Sequence, residues 1–193
     1  MNTRNVMWKQ KLRILSLSTL VLFWVVGTEN QYPQINNSST YGATDRAYLA
    51  GFFDGDGAIM AIIEYRAENK FGYKVRLEAK ITQKQREILD ELQKLFGVGR
   101  VKVTGPAYEW IVKNREEMLA FIDLMLPYTR IKYNQLILAK EIAAKLEQNK
   151  KKEDLVESVR LAYILSSYNI KSKRRNEDQE IIIKSINERA IRH

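Results

Sequence analysis

The sequence predicts an α+β fold in the order α-β-β-α-β-β-α, with further helices after it. Three observations carry this reading. Residues 74–81, KVRLEAKI, alternate cleanly: Val75, Leu77, Ala79 and Ile81 fall on one face and Lys74, Arg76, Glu78 and Lys80 on the other. That is the pattern of a half-buried strand. Residues 83–97 place Ile88, Leu89, Leu92, Leu95 and Phe96 at helical spacing and stop on Gly97, as an amphipathic helix does. RAENKFG (66–72) and Gly105-Pro106 are hairpin turns, so the strands pair antiparallel, with helices on one side.

The elements follow in chain order. Residues 14–26, ILSLSTLVLFWVV, form the one strongly apolar run, after Arg4, Lys9, Lys11 and Arg13. The pattern is that of a signal peptide, and the run is short for a membrane span. It is read as part of an N-terminal extension and linker, residues 1–42, with no assigned role. Residues 43–170 make the main domain, and residues 171–193 a basic segment and a last helix. The first helix begins near Thr44, a good N-cap, with Asp45 favourable to its dipole. It runs through Ala47, Gly51 and Gly55 and stops at Gly57, with Phe52 and Phe53 expected in the core. IMAIIEYR (59–66) is a less regular strand that pairs with 74–81. RVKVT (100–104) and AYEWIVK (107–113) are two short strands. NREEMLAFIDLMLPY (114–128) is a helix capped by Asn114. Residues 131–148, 152–168 and 176–193 are further helices.

Composition narrows the chemistry. The 193 residues carry 32 Lys and Arg against 23 Asp and Glu, a net charge of +9. Such an excess favours a polyanionic partner, nucleic acid first. Cysteine is absent and His193 is the only histidine. Thiol nucleophiles, Cys or His zinc sites and histidine-centred triads are thereby excluded from the fold. Catalysis must use carboxylates, Lys, Arg, Gln and a hard cation.

The predicted sheet has one apolar face. The other carries Glu64, Arg66, Lys74, Arg76, Glu78, Lys80, Arg100, Lys102, Thr104, Glu109 and Lys113. Long polar side chains on a twisted ribbon suit the major groove. There Arg or Lys reads guanine, Glu accepts from cytosine, and Thr contacts either. A strand of about eight residues spans roughly 27 Å, or about eight base pairs.

The stretch YLAGFFDGDGAI (48–59) places Gly51 and Gly55 inside a helix, where each costs about 1 kcal/mol. Four residues apart, they share a face with Ala47 above them, and small residues let a second helix approach closely. LAGFFDGDG resembles the signature of the LAGLIDADG homing endonucleases: Leu49, Ala50, Gly51, Asp54, Asp56 and Gly57 match it. ITQK, FGVGRV and PYTRIKYNQ strengthen the resemblance, which covers residues 44–175. A single copy of the signature points to the homodimeric, intron-encoded branch.

The resemblance implies an αββαββα homing-endonuclease fold. Its saddle-shaped antiparallel sheet binds DNA, and its signature helices (residues 49–57) meet at a dimer interface lined by Ala47, Gly51 and Gly55. It implies site-specific, metal-dependent cleavage of double-stranded DNA. Asp56 and the Gly55 carbonyl would hold Mg²⁺; Mn²⁺ would substitute, and Ca²⁺ would support binding without cleavage. Gln83 would orient the nucleophilic water, Arg86 would assist, and Lys132 would stabilise charge at the phosphate. Asp54 is expected to be structural. Lys171, Lys173, Arg174 and Arg175 would hold phosphates. No membrane and no protein cofactor is implied. The expected location is intracellular: cytoplasmic in a prokaryote or archaeon, organellar in a eukaryote.

Two rival readings stand beside this one. Glu78-Ala79-Lys80 fits a loose carboxylate-x-lysine nuclease pattern. The same scaffold also serves RNA maturases and regulators that bind nucleic acid without cutting it.

Overall fold

Alternating strands dictate the centre of the molecule, a four-stranded sheet of order β1-β2-β4-β3. Its strands are β1 (Gly57–Tyr65), β2 (Tyr73–Gln83), β3 (Arg100–Thr104) and β4 (Ala107–Val112). All neighbours are antiparallel. The helices are α1 (Ala43–Asp56), α2 (Arg86–Phe96), α3 (Arg115–Met125), α4 (Tyr133–Glu147), α5 (Lys152–Ser167) and α6 (Asn176–Ile191). This computed structural model describes residues 42–147, 151–169 and 176–191, all within the unit Gln34–His193. The extension before residue 42 and the basic run 171–175 lie outside the described residues. Among those described, no helix is long and apolar enough to cross a membrane.

The register of β1 on β2 runs unbroken from Gly57↔Ile81 to Tyr65↔Tyr73. β4 pairs with β2 only over Ala79–Gln83. Residues 73–78 and their β1 partners therefore extend past β4 as a two-stranded ribbon. Residues of one parity (Ile59, Ala61, Val75, Leu77, Ala79, Ile81, Trp110, Val112) are buried against the helices. The strict period of two in KVRLEAKI is thus the reason the core lies on this side.

An aromatic cluster anchors α1, α2 and α3 on the sheet. Phe121 meets Phe53, Phe96 and Trp110 at ring separations of 5.0, 5.3 and 5.3 Å. The Trp110 indole N–H, wholly buried, donates to the Val98 carbonyl at 3.1 Å. Gly97 ends α2 in the left-handed conformation, φ 63°, which only glycine adopts at little cost. Asn114 caps α3 as expected, accepting from the N–H groups of Glu116 and Glu117 at 2.8 and 3.2 Å.

Three local expectations change. Helix α1 starts at Ala43 with Gly42 as its cap, and Asp45 accepts from the Gly42 N–H at 2.8 Å. Thr44 is already inside the helix. The second helix starts at Arg86, not Gln83, because Gln83 remains in the ladder opposite Tyr108. Phe53 is fully buried, but Phe52 is only half-buried and turns toward the exposed side of α1.

Candidate active site and nucleic-acid interface

Helix α1 passes into β1 with no intervening loop. Gly57 makes this possible by close approach rather than by an unusual dihedral. Its φ is −77°, but a Cβ there would press on the Phe53 ring and stand 2.5 Å from the Phe53 carbonyl oxygen. Two aspartates in the last turn then face opposite ways.

Asp54 points inward. It is 7 % exposed and takes the hydroxyl of Thr129 and the backbone N–H groups of Arg130, Ile131 and Lys132 (2.7, 3.2 and 3.0 Å). Burial alone would push its carboxyl up. The hydrogen bonds from Arg130, Thr129, Lys132 and Ile131 outweigh that and hold it below the usual carboxylate range. Asp54 therefore ties the end of α1 to the turn that opens α4, as a structural residue.

Asp56 points outward and is exposed. The Gln83 side-chain amide donates to its carboxylate at 2.6 Å. The ladder accounts for this meeting: Gly57 opposes Ile81, so the residues at the start of β1 and the end of β2 are neighbours. Lys132 is drawn in by the Asp54 turn. Its ammonium donates to the Asp54 carbonyl oxygen and lies 5.9 Å from the Phe53 ring centre. Burial depresses the Lys132 ammonium, while the charges of Asp54 and Asp56 act in the opposite direction. Asp56, Gln83 and Lys132 are thus brought together. Arg86 is not among their partners: its guanidinium pairs with Asp90 at 3.2 Å and lies over the Tyr108 ring.

Among the described residues, no group of three or more Asp, Glu, His or Cys side chains is gathered for a metal. One chain offers Asp56 and the carbonyl oxygens of the helix end. That all-oxygen donor set fits a hard divalent cation and is incomplete alone. The exposed stripe above it is Ala47, Tyr48, Gly51 and Gly55. A methyl group added at Gly51 or Gly55 would meet nothing within 4 Å, so nothing among the described residues requires either glycine.

The outer face of the sheet carries a charged network. Glu64 joins Arg66 (2.9 Å) and Arg76 (2.6 Å), and Glu78 joins Arg76 (2.7 Å) and Lys113 (3.1 Å). Glu109 joins Lys80 (3.3 Å) and Lys102 (2.9 Å). Hydrogen bonds from Arg76, then Arg66, bring the Glu64 carboxyl down to about 2. For Glu78 and Glu109, burial alone would raise the carboxyl. Arg76 with Lys113, and Lys102 with Lys80, outweigh burial and lower both. Glu78 and Glu109 are only 7 % and 5 % exposed, so they lie beneath their cationic partners instead of standing free to meet a base. Lys74, Arg100, Lys102, Thr104 and Lys113 are exposed on the same side.

This arrangement answers the carboxylate-x-lysine reading. Glu78 opposes Met60, three rungs along from Gly57↔Ile81, and its partners are Arg76 and Lys113. Lys80 is committed to Glu109. The tripeptide does not assemble with Asp56. Sequence reasoning missed Thr129, which lay in the quoted PYTRIKYNQ stretch. It also missed that Ala58, Met60 and Ile62 share the outer face with Glu64, although the period of two along β1 was available to find them.

The model of the LAGLIDADG endonuclease family matches residues 49–143. The chain is 34 % identical over 109 residues to DNA endonuclease I-CreI of Chlamydomonas reinhardtii, covering 55 % of this chain and 67 % of that one. It is 33 % identical over 119 residues to DNA endonuclease I-CvuI of Chlorella vulgaris, covering 60 % and 74 %. The solved structure of I-CvuI bound to the I-CreI target in the presence of Mg superposes with a TM-score of 0.69 at 30 % identity, over 75 % of this chain and 95 % of that one. The archaeal intron-encoded homing endonuclease I-Vdi141I, complexed with DNA, gives a TM-score of 0.71 over 77 % and 98 %, and at 24 % identity supports the fold alone. With the signature helix, the four-stranded sheet and the Asp56–Gln83–Lys132 grouping all in place, this chain belongs to the LAGLIDADG endonuclease family.

Proposed function

We propose that this protein is a homing endonuclease that cuts both strands of a long, imperfectly palindromic DNA site as a homodimer. The observation that carries the reading is Asp56. It is an exposed carboxylate at the end of a helix whose exposed face is small and glycine-rich, beside a sheet whose acids are covered by cations.

A bare carboxylate next to a phosphate backbone would repel it. Two copies of α1, packed through Ala47, Gly51 and Gly55, would bring two such carboxylates together and raise that cost. Asp56 and the Gly55 carbonyl of each chain would hold divalent cations, Mg²⁺ or Mn²⁺. Such a cation, when bound, supplies a Lewis acid and an activated water. Support for a divalent ion comes from I-CvuI, solved with DNA in Mg and in Ca. Gln83 holds the Asp56 carboxylate through its amide N–H and leaves its own carbonyl oxygen to accept from a water. Lys132, fixed by the Asp54 turn, places positive charge beside Asp56, where an anionic phosphorane-like transition state is favoured. The sheet binds the phosphates and base edges of one half-site of roughly eight pairs.

The test is a cleavage assay with and without Mg²⁺, on DNA spanning the insertion junction of the intron that carries the gene. Double-strand cutting only with the metal is expected, and binding without cutting in Ca²⁺. Gly51→Leu should make the protein monomeric and inactive. A variant that keeps both dimer mass and cleavage would overturn the interface assignment.

A further inference from the structure

We infer that Arg189 is a positioning residue: from the last turn of α6 it braces the tip of the β1–β2 ribbon from behind and so sets how the outermost part of each half-site is read. The inference rests on the proposed function, because it takes the outer sheet face to be the DNA-reading face.

The geometry is specific. The Arg189 guanidinium donates to the Ala67 carbonyl oxygen at 2.7 Å and to the Tyr65 hydroxyl at 3.4 Å. Both acceptors belong to the hairpin tip. Gly72 provides the room: its φ is +76°, and a Cβ there would stand within 3.3 Å of the Arg189 guanidinium carbon. The left-handed conformation favours glycine at this position, and the missing side chain leaves the space that the guanidinium occupies. The helix that delivers Arg189 is itself anchored through Ile183 and Ile186, 7 % and 0 % exposed.

The tip needs a brace. Beyond Ala79 the ribbon has no pairing from β4; Ala61, Val75 and Leu77 still pack on the helices, but Tyr65 at its end is largely exposed. Within the tip, Arg66 N–H donates to Gly72 O, Asn69 N–H to Arg66 O and Gly72 N–H to Asn69 O, at 2.8, 3.0 and 2.9 Å. Tyr65 packs edge-on against Tyr73 at 5.4 Å. Tyr65 and Tyr73 share the parity of the buried row, while Glu64, Lys74 and Arg76 have the opposite parity. Arg189 therefore holds the side of the ribbon away from the reading side chains. The tip lies eight steps from Gly57 along β1, roughly 27 Å at about 3.4 Å each, which is about eight base pairs from the cut at about 3.4 Å per pair. Its effect should fall on the outer positions and leave the chemistry alone.

The experiment compares wild type, Arg189→Ala and Arg189→Lys in the full chain. Amide hydrogen exchange on the free protein should show Arg66, Asn69 and Gly72 exchanging about tenfold faster in Arg189→Ala, with partial restoration in Arg189→Lys. Selection from a randomised duplex library in Ca²⁺ should show sequence preference lost at the outermost pairs and kept near the cut, with affinity down by about three- to tenfold. Cleavage rate at saturating DNA should be unchanged. Unchanged tip exchange, or preference lost evenly along the site, overturns the inference. A wild-type protein that selects no duplex at all, while the tip still loosens in Arg189→Ala, would instead overturn the DNA-cutting function and, with it, the reading role of the brace.

Discussion

The end of α1 and the outer face of the sheet handle negative charge in opposite ways. On the sheet, Glu64, Glu78 and Glu109 are each joined to two basic side chains, and two of the three are buried. At the helix end, Asp56 is exposed and has a neutral amide for its partner. A surface built only to hold DNA would cover every carboxylate, since each bare one opposes the phosphates. Under the proposed function, this exception is where a divalent cation would supply the positive charge. The same contrast recurs within α1 itself: Asp54 has four donors, with its partners Thr129, Arg130, Ile131 and Lys132, and Asp56 has Gln83.

The largest effects should separate these two aspartates. Asp56→Asn should lower cleavage by at least about 10³-fold, while binding to the same DNA in Ca²⁺ and the melting temperature stay near wild type. Removing divalent ions with a chelator should reproduce that loss in the wild-type protein. If Asp56→Asn cuts at the wild-type rate, its exposure has nothing to do with metal. Asp54→Ala should do the reverse in kind. It strands several donors in a buried turn, so urea unfolding should show a loss of about 3 kcal/mol. Activity should then fall because Lys132 is no longer fixed. An Asp54→Ala protein as stable as Asp56→Asn would erase the distinction between the two residues.

Much of this was legible in the sequence, and the physical reasons differ by residue. The strict alternation at 74–81 fixes which side chains enter the core, so the sheet faces follow from covalent geometry alone. The glycines at 51 and 55 were readable because a helix carries them only at a cost, and among the described residues the space around them is open. The family pattern put Asp56 and Gln83 in one site, but gave no contact between them; that contact depends on the register of β1 on β2, of which local propensity gives no sign. Thr129 and Arg189 act through contacts 75 and 122 residues away in sequence, and no local pattern encodes such pairs. The depth of Glu78 and Glu109 was not readable either. Alternation gives the face a glutamate is on, but not whether lysines from neighbouring strands close over it.

A smaller effect tests the sheet half of the contrast through acid. The folded-state carboxyl of Glu64 sits at about 2 against an ordinary 4.5, and those of Glu78 and Glu109 are also lowered. Unfolded glutamates therefore bind protons first as pH falls. The stabilisation is complete above about 4.5 and is lost as pH drops toward 2. The melting temperature of the wild type should decline steeply across that window. A Glu64→Gln, Glu78→Gln, Glu109→Gln variant should decline less, with the remainder coming from Asp54, which is lowered as well. Parallel curves would mean that the network contributes nothing to folding.

The smallest effect asks what a covered glutamate is for. Sequence reasoning assigned Glu109 to base reading, as an acceptor from cytosine. In the fold it is 5 % exposed and lies between Lys80 and Lys102, which suits it better to holding those two ammonium groups in place. The two roles predict different salt behaviour for Glu109→Gln. If Glu109 restrains the lysines, removing its charge frees one of them for a phosphate, and the slope of log K against log salt steepens by about one. Affinity at about 50 mM salt would rise by a few-fold, equally for the target and for an unrelated duplex. If Glu109 instead turns outward to read a base, the substitution weakens binding to the target alone and leaves the slope unchanged. Filter binding of both duplexes over a salt series distinguishes the two, and the second result would mean that the acids of this face are not hidden when DNA is bound.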